Sequence, residues 1–138
     1  MKQVLSAGAV PVRQKKGKWE FLILRAYKYW DFPKGVVEQD EDPWDGAIRE
    51  IAEETGLTKL SAPWGKIFAE TEPYGKGKTA RYYLVKVEED KDIVLLPNPI
   101  TGVIEHHEHR WLTYEEAKSL LVPRTKAILD WANRAIND

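Results

Sequence analysis

The stretch Gly35–Leu57, GVVEQDEDPWDGAIREIAEETGL, decides how this chain reads. Pro43 precedes Trp44, Ala47, Ile48, Ile51 and Ala52, apolar residues that recur at the period of a helix. Asp42 is placed to cap the first turn, Pro43 to take the first helical position and Gly56 to stop the helix. Glu50 then stands three residues before Glu53 and four before Glu54, so all three carboxylates share one face. Like charges so gathered repel, and a helix gains no stability from them. A solvated acidic face with Arg49 as partial neutraliser would account for the pattern. A site for a hard divalent cation would too, because Mg²⁺ takes oxygen ligands and binds through a few carboxylates plus substrate phosphates.

Outward from this helix, residues 3–12 and Phe21–Arg25 are apolar and β-prone, joined by the basic, Gly-containing connection Arg13–Lys18. Trp30–Gly35 has loop chemistry. Beyond the helix, strands are expected around Leu60–Glu72 and Thr79–Glu88, where Arg81–Val87 (RYYLVKV) is rich in β-formers, with Gly75 and Gly77 in the turn. Residues 88–105 read mostly as loop, and Arg110–Thr113 as a last strand. A helical region follows from Tyr114 to about Ile136, with Thr113 as N-cap and Pro123 opening a second segment. Strands and helices mix without regular alternation, which predicts an α/β domain spanning 1–138 with a mixed sheet flanked by helices.

Composition sets the outer bounds. The 138 residues are 43% hydrophobic and 31% charged, a globular balance, and there is no cysteine for disulfides or thiolate chemistry. A net charge of −1 gives no bulk attraction to nucleic acid or membrane. The opening residues lack the uninterrupted apolar segment of a signal peptide and no window approaches a membrane span, so a cytoplasmic location is expected.

Spacing separates the two readings of the carboxylates. Gly35 is followed by five residues and Glu41, then by seven residues and Arg49-Glu50, Ile51, Ala52, Glu53-Glu54, Thr55, Gly56 and Leu57. This resembles the Nudix box at every defined position, and composition alone would produce such a match about once in 10⁹–10¹⁰ positions. The resemblance implies the Nudix fold, an α/β/α sandwich around a mixed sheet, and a hydrolase in which water attacks a phosphorus of a nucleotide-linked polyphosphate. It implies Mg²⁺ as cofactor, with Mn²⁺ able to substitute. Glu50, Glu53 and Glu54 would hold the metal with the Gly35 carbonyl, while Glu41 and Arg49 would brace the motif. In this family the general base is a box Glu or a later one, and here Glu105 is the candidate, with Glu108 competing, within GVIEHHEHRWLTYEEA. His106, His107 and His109 lack a helical pair or a Cys companion and read as an exposed site loop rather than a zinc site.

Flanking pieces speak to the substrate. AGAVPVR, FLILR and WDFPKG resemble the corresponding run of asymmetric diadenosine-tetraphosphate hydrolases, as does the segment ending in Arg110-Trp111-Leu112. By that resemblance Lys34 and Arg25 would bind phosphate and Tyr74 would stack on a base. Lys76, Lys78 and Arg81, close together in YGKGKTARYY, read as a phosphate clamp. Val36 stands where those enzymes often carry His, and no aromatic occupies Leu121–Arg124, leaving Tyr29 as another base contact. The leading expectation is cleavage of diadenosine tetraphosphate to ATP and AMP by a monomer or homodimer acting on a small nucleotide. Other substrates of the same enzyme class are 5′-triphosphorylated RNA, diphosphoinositol or longer dinucleoside polyphosphates, and oxidised nucleoside triphosphates. RNA is less favoured because Pro-Lys-Gly precedes the box and the chain is not basic. A non-catalytic nucleotide sensor on the same fold would be expected to have lost the metal carboxylates, and all three are present.

Overall fold

A computed structural model describes residues 4–138. The elements run β1 (Val4–Lys15), β2 (Lys18–Ala26), β3 (Tyr29–Asp31), β4 (Lys34–Val36), α1 (Pro43–Thr55), β5 (Leu60–Ser61), β6 (Phe68–Glu70), β7 (Lys78–Val87), β8 (Glu108–Leu112), α2 (Tyr114–Lys118) and α3 (Pro123–Asn137). They form one mixed sheet with the central path β3-β2-β1-β7-β5, to which β4 joins at β1, β6 at β7 and β8 at β2. Only the β1–β7 ladder is parallel among the described pairs, running in register from Val4↔Lys78 to Val12↔Lys86.

The sheet is covered on both faces, and the period-2 alternation of each strand assigns residues to two cores. Val10, Val12, Phe21, Ile23, Tyr82 and Leu84 face α2 and α3, meeting Ala117, Ile128 and Leu129. Ala7, Ala9, Leu22, Leu24, Val85 and Val87 face α1, meeting Ala47 and Ile51, with Ile48 partly buried beside them. This explains why Phe21–Leu24 is an uninterrupted apolar run: each of the four side chains is buried, on alternating sides. Truncating the fully buried Ile51 to Ala would cost about 2–5 kcal/mol.

Helix α1 forms as its sequence requires. The Asp42 side chain accepts from Trp44 N–H, Pro43 opens the helix, and Gly56 closes it in the left-handed region at φ 79° with its N–H on the Ala52 carbonyl. Thr113 likewise caps α2 through a capping box with Glu116.

Two local expectations are corrected. Arg13–Lys18 is not a separate connection: both strands continue through it, and only Lys16-Gly17 turns, each at positive φ. Trp30–Gly35 is not simply loop, because Trp30 and Asp31 belong to β3 and Lys34 and Gly35 to β4. The reason for β4 lies in β1. A Cβ on Gly8 would sit 2.0 Å from the Pro33 carbonyl oxygen, so only glycine there lets the Phe32–Gly35 backbone pack against β1. That packing delivers Lys34 and Gly35 to the acidic face of the helix.

Candidate active site

The acidic face of α1 is organised by one arginine. Arg49 grips Glu41 with two bonds, Nε to Oε2 at 2.8 Å and Nη2 to Oε1 at 3.0 Å, while Nη1 donates to Glu50 at 2.8 Å and Glu53 at 3.1 Å. Nη2 also reaches the Val36 carbonyl at 3.2 Å, tying the helix to the strand that carries Gly35. The bonds from Arg49 and from the Glu38 N–H push the Glu41 carboxyl down to about 2. Gly46 makes room for this, since a Cβ there would stand 2.9 Å from Glu41 Oε1.

Gly35 faces Glu50 so closely that a Cβ would lie 2.1 Å from the carboxylate carbon. Burial is the main influence raising Glu50, with Glu53 and Glu105 adding to it against the pull of Arg49. Glu54 is deeper still. Burial, then the charges of Glu50 and Glu105, push it up to about 9, and its Oε2 is buried with no hydrogen-bond partner. A buried carboxylate oxygen without a donor, beside three other carboxylates, is a place where a divalent cation fits.

The long loop after β7 closes the other side. Val94 N–H and Leu96 N–H bond the Thr55 and Glu54 carbonyls at 3.3 and 3.4 Å, so the loop runs along the end of α1. It brings Asn98, Glu105 and His106 over the acidic face. Asn98 fixes Glu105 by donating from Nδ2 to Oε1 at 3.0 Å, while its Oδ1 accepts from the N–H groups of Ile100 and Thr101 at 2.8 and 3.1 Å. Together these elements line a cleft of about 500 Å³ containing Lys34, Gly35, Glu50, Glu53, Asn98 and Glu105. A smaller adjoining pocket adds Glu54 and His106.

The other acidic and histidine residues of the loop diverge. Glu108 sits between Arg25 at 3.0 Å and Arg110 at 2.6 Å, bonds that lower its pKa, and it lines neither pocket. His107 packs at 5.9 Å from the Tyr27 ring, and His109 lies within β8 opposite Leu24. His106 alone of the three turns inward, half-buried, where burial lowers its pKa against the opposing influence of Glu105.

Lys34 lines the larger of these clefts. Its Nζ donates to Asp31 at 2.6 Å, and Asp31 is fixed in turn by Phe32 N–H at 2.6 Å and the Tyr82 hydroxyl at 2.9 Å. Burial works against the Lys34 charge, but Asp31 outweighs it and the net shift is upward. Lys34 lies within electrostatic reach of Glu54 and also of Tyr74 and Arg124. Those two residues help line a cleft of about 510 Å³ with Pro73, Pro123 and Ile128, and the Arg124 guanidinium stacks 4.0 Å from the Tyr74 ring centre.

The remaining cations are dispersed. Lys76 is exposed at the tip of the turn closed by Tyr74 and Lys78, which exchange backbone bonds at 2.9 and 3.1 Å. Arg81 is engaged by Glu70 at 2.7 Å and lies over the Phe68 ring. Arg25 is held by Glu108 and by the Tyr27 carbonyl. None of Arg25, Lys76, Lys78 and Arg81 lines the two large clefts. Sequence reading missed Asn98, Asp31 and Arg124. Asp31 stood within the quoted WDFPKG, whereas Asn98 and Arg124 carried no local signal.

Comparison with known proteins identifies the family and the fold. The NUDIX domain family matches residues 2–132. The chain is 37% identical over 120 residues to the asymmetrical bis(5′-nucleosyl)-tetraphosphatase of Caenorhabditis elegans, covering 83% of this chain and 82% of that one. It is 28% identical over 120 residues to an RNA pyrophosphohydrolase of Brucella ovis, covering 76% and 66%. Among solved structures, a binary complex of the C. elegans Ap4A hydrolase superposes with a TM-score of 0.84 at 30% identity, covering 97% of this chain and 98% of that one. The MutT protein of Methanosarcina mazei shares the fold with a TM-score of 0.71 at 23% identity, covering 100% and 99%. With the box, the sandwich and the family match in agreement, this chain belongs to the Nudix family and is a Nudix hydrolase.

Proposed function

We propose that this hydrolase cleaves diadenosine tetraphosphate asymmetrically, to ATP and AMP, with Mg²⁺ as its ion. The observation that carries the catalytic part is the convergence of Glu50, Glu53, Glu54 and Glu105 on one cleft, with the Glu54 Oε2 buried and unpartnered. In this reading the three box carboxylates and the Gly35 carbonyl hold the divalent ions, and Mn²⁺ can substitute. The ions, when bound, neutralise charge on the phosphate oxygens and make water easier to deprotonate.

The chain's own groups do the rest. Arg49, clamped on Glu41, keeps Glu50 and Glu53 at fixed positions despite their mutual repulsion. Glu105 adds an oxygen to the metal site and accepts the proton of the attacking water; Asn98 holds its carboxylate over the cleft. Lys34 binds the phosphates next in line, and Tyr74 stacks on the base beyond. Lys76, Lys78, Arg81 and Arg25 lie outside the two clefts and would act on the phosphate chain through their field or after rearrangement.

Two facts support the dinucleotide over a mononucleotide. The C. elegans relative bears that activity in its name, and Lys34, on the wall of the carboxylate cleft, lies within electrostatic reach of Tyr74 and Arg124, which line a separate pocket. A long polyphosphate can occupy both at once. The test is a hydrolysis panel with Mg²⁺ in ¹⁸O-labelled water, comparing diadenosine tetraphosphate, ADP-ribose, 8-oxo-dGTP and triphosphorylated RNA. The dinucleotide should turn over fastest and give ATP plus AMP, with the label marking the attacked phosphorus. Production of two ADP, or equal or faster turnover of another substrate, overturns the assignment. Similarity to the Brucella ovis RNA pyrophosphohydrolase makes triphosphorylated RNA the second reading, and its faster turnover would install it.

A further inference from the structure

The inward turn of His106 changes the chemistry available to the metal site. One ligand atom each from Glu54, Glu105 and His106 lies within 4.8 Å of the others. Around one ion with bonds of about 2.0–2.2 Å, adjacent ligand atoms stand about 3 Å apart, so small side-chain rotations would close this trio on a single centre. Glu54, a member of this trio, also carries the buried Oε2 that has no hydrogen-bond partner. By contrast Gly35, Glu50 and Glu53 offer only oxygen.

Ligand type discriminates between ions. Mg²⁺ prefers oxygen throughout, whereas first-row transition dications accept imidazole nitrogen readily. We propose that His106 supplies a nitrogen ligand to a metal position shared with Glu54 and Glu105, and that this position selects a transition-metal dication over Mg²⁺. The inference rests on the reading of the carboxylate cleft as a metal site. It divides that site into an all-oxygen position at Gly35, Glu50 and Glu53 and a mixed nitrogen–oxygen position beside it.

The test reads the ion rather than turnover. Protein loaded with Mn²⁺ alone is examined by electron spin echo envelope modulation, which detects a directly bound ¹⁴N. Wild-type protein should show imidazole modulation; His106→Gln should lose it and His107→Gln should keep it. In competition, the Mg²⁺ concentration that displaces half the bound Mn²⁺ should fall about tenfold in His106→Gln, a difference of about 1.4 kcal/mol in relative affinity. Absence of ¹⁴N modulation in the wild type overturns the proposal without reference to any variant. So does modulation that survives in His106→Gln or vanishes in His107→Gln. Cleavage of the dinucleotide without nitrogen modulation would sink this proposal alone. Nitrogen modulation in a protein that prefers another substrate would sink the substrate reading alone.

Discussion

Replacing Gly35 by Ala separates the stability of the fold from the geometry of the site. The new Cβ would meet the Glu50 carboxylate at 2.1 Å from carbon and 2.2 and 2.3 Å from its oxygens. An ordinary contact is about 3.4 Å, so the carboxylate must retreat by about 1.3 Å. It is the far end of a flexible side chain, so the backbone stays in place and the cost to folding is small. The retreat pulls Glu50 from the position in which Arg49 holds it at 2.8 Å, and therefore from its place in the cleft. A displacement of about 1 Å in a reacting constellation costs about 100-fold in rate, or about 2.7 kcal/mol of transition-state stabilisation. Gly35→Ala should therefore lower kcat/KM for diadenosine tetraphosphate by about 100-fold while shifting Tm by no more than about 3 °C. The assays are steady-state hydrolysis with Mg²⁺ and thermal unfolding of the metal-free protein. Activity within threefold of wild type would refute the argument that the missing Cβ keeps Glu50 in register.

Three further outcomes follow from the charged groups and the second cleft. Glu41 has its folded pKa lowered to about 2, so its contribution to stability is present above the unfolded value near 4.5 and is lost as pH falls towards 2. Glu41→Gln should flatten the fall of Tm with acid between those values, and parallel wild-type and variant curves would contradict this. Glu54, pushed up to about 9, contributes stability below about 4.5 that is lost as pH rises towards 9, and it is protonated at pH 7 without metal. Mg²⁺ binding at pH 7 should then release a proton, seen as a dependence of calorimetric heat on buffer ionisation enthalpy; Glu54→Gln should remove most of that dependence. Tyr74→Ala should raise KM for the dinucleotide 10- to 100-fold with little change in kcat, and Tyr74→Phe should restore it. Loss of kcat with KM unchanged would place Tyr74 outside the base pocket.

What could be read in the chain divides along the reach of its interactions. Asp42, Pro43 and Gly56 act on backbone groups within one turn of themselves, so the ends of α1 were legible to the residue. Glu50, Glu53 and Glu54 share a face by helical period alone, which is why the acidic surface was visible before any tertiary structure. The β4 strand was not, because it depends on the absent Cβ of Gly8, more than twenty residues away in the chain. Asn98 and His106 matter only because bonds from Val94 and Leu96 lay their loop along α1, and no local pattern records that. Arg124 has the same history. Its neighbour Tyr74 lies on a turn before β7, and the two meet only after α3 has packed against the sheet.

The parallel ladder between β1 and β7 carries a further consequence, for the order in which the molecule can assemble. Val4 pairs with Lys78 and Val12 with Lys86, while β2, the next strand, waits for Leu112 to pair with Phe21. Nothing that emerges early during synthesis can complete the centre of the sheet, and the face of the β1–β2 hairpin that meets α2 and α3 must remain uncovered until most of the chain exists. Pairings of such separation make folding slow relative to local helix formation. Glu105 and His106 arrive just ahead of β8, so a nascent chain passes through a stage in which α1 bears its repelling carboxylates with no far wall to the cleft. Dissolved divalent ions would relieve that repulsion, and refolding in their presence should be faster.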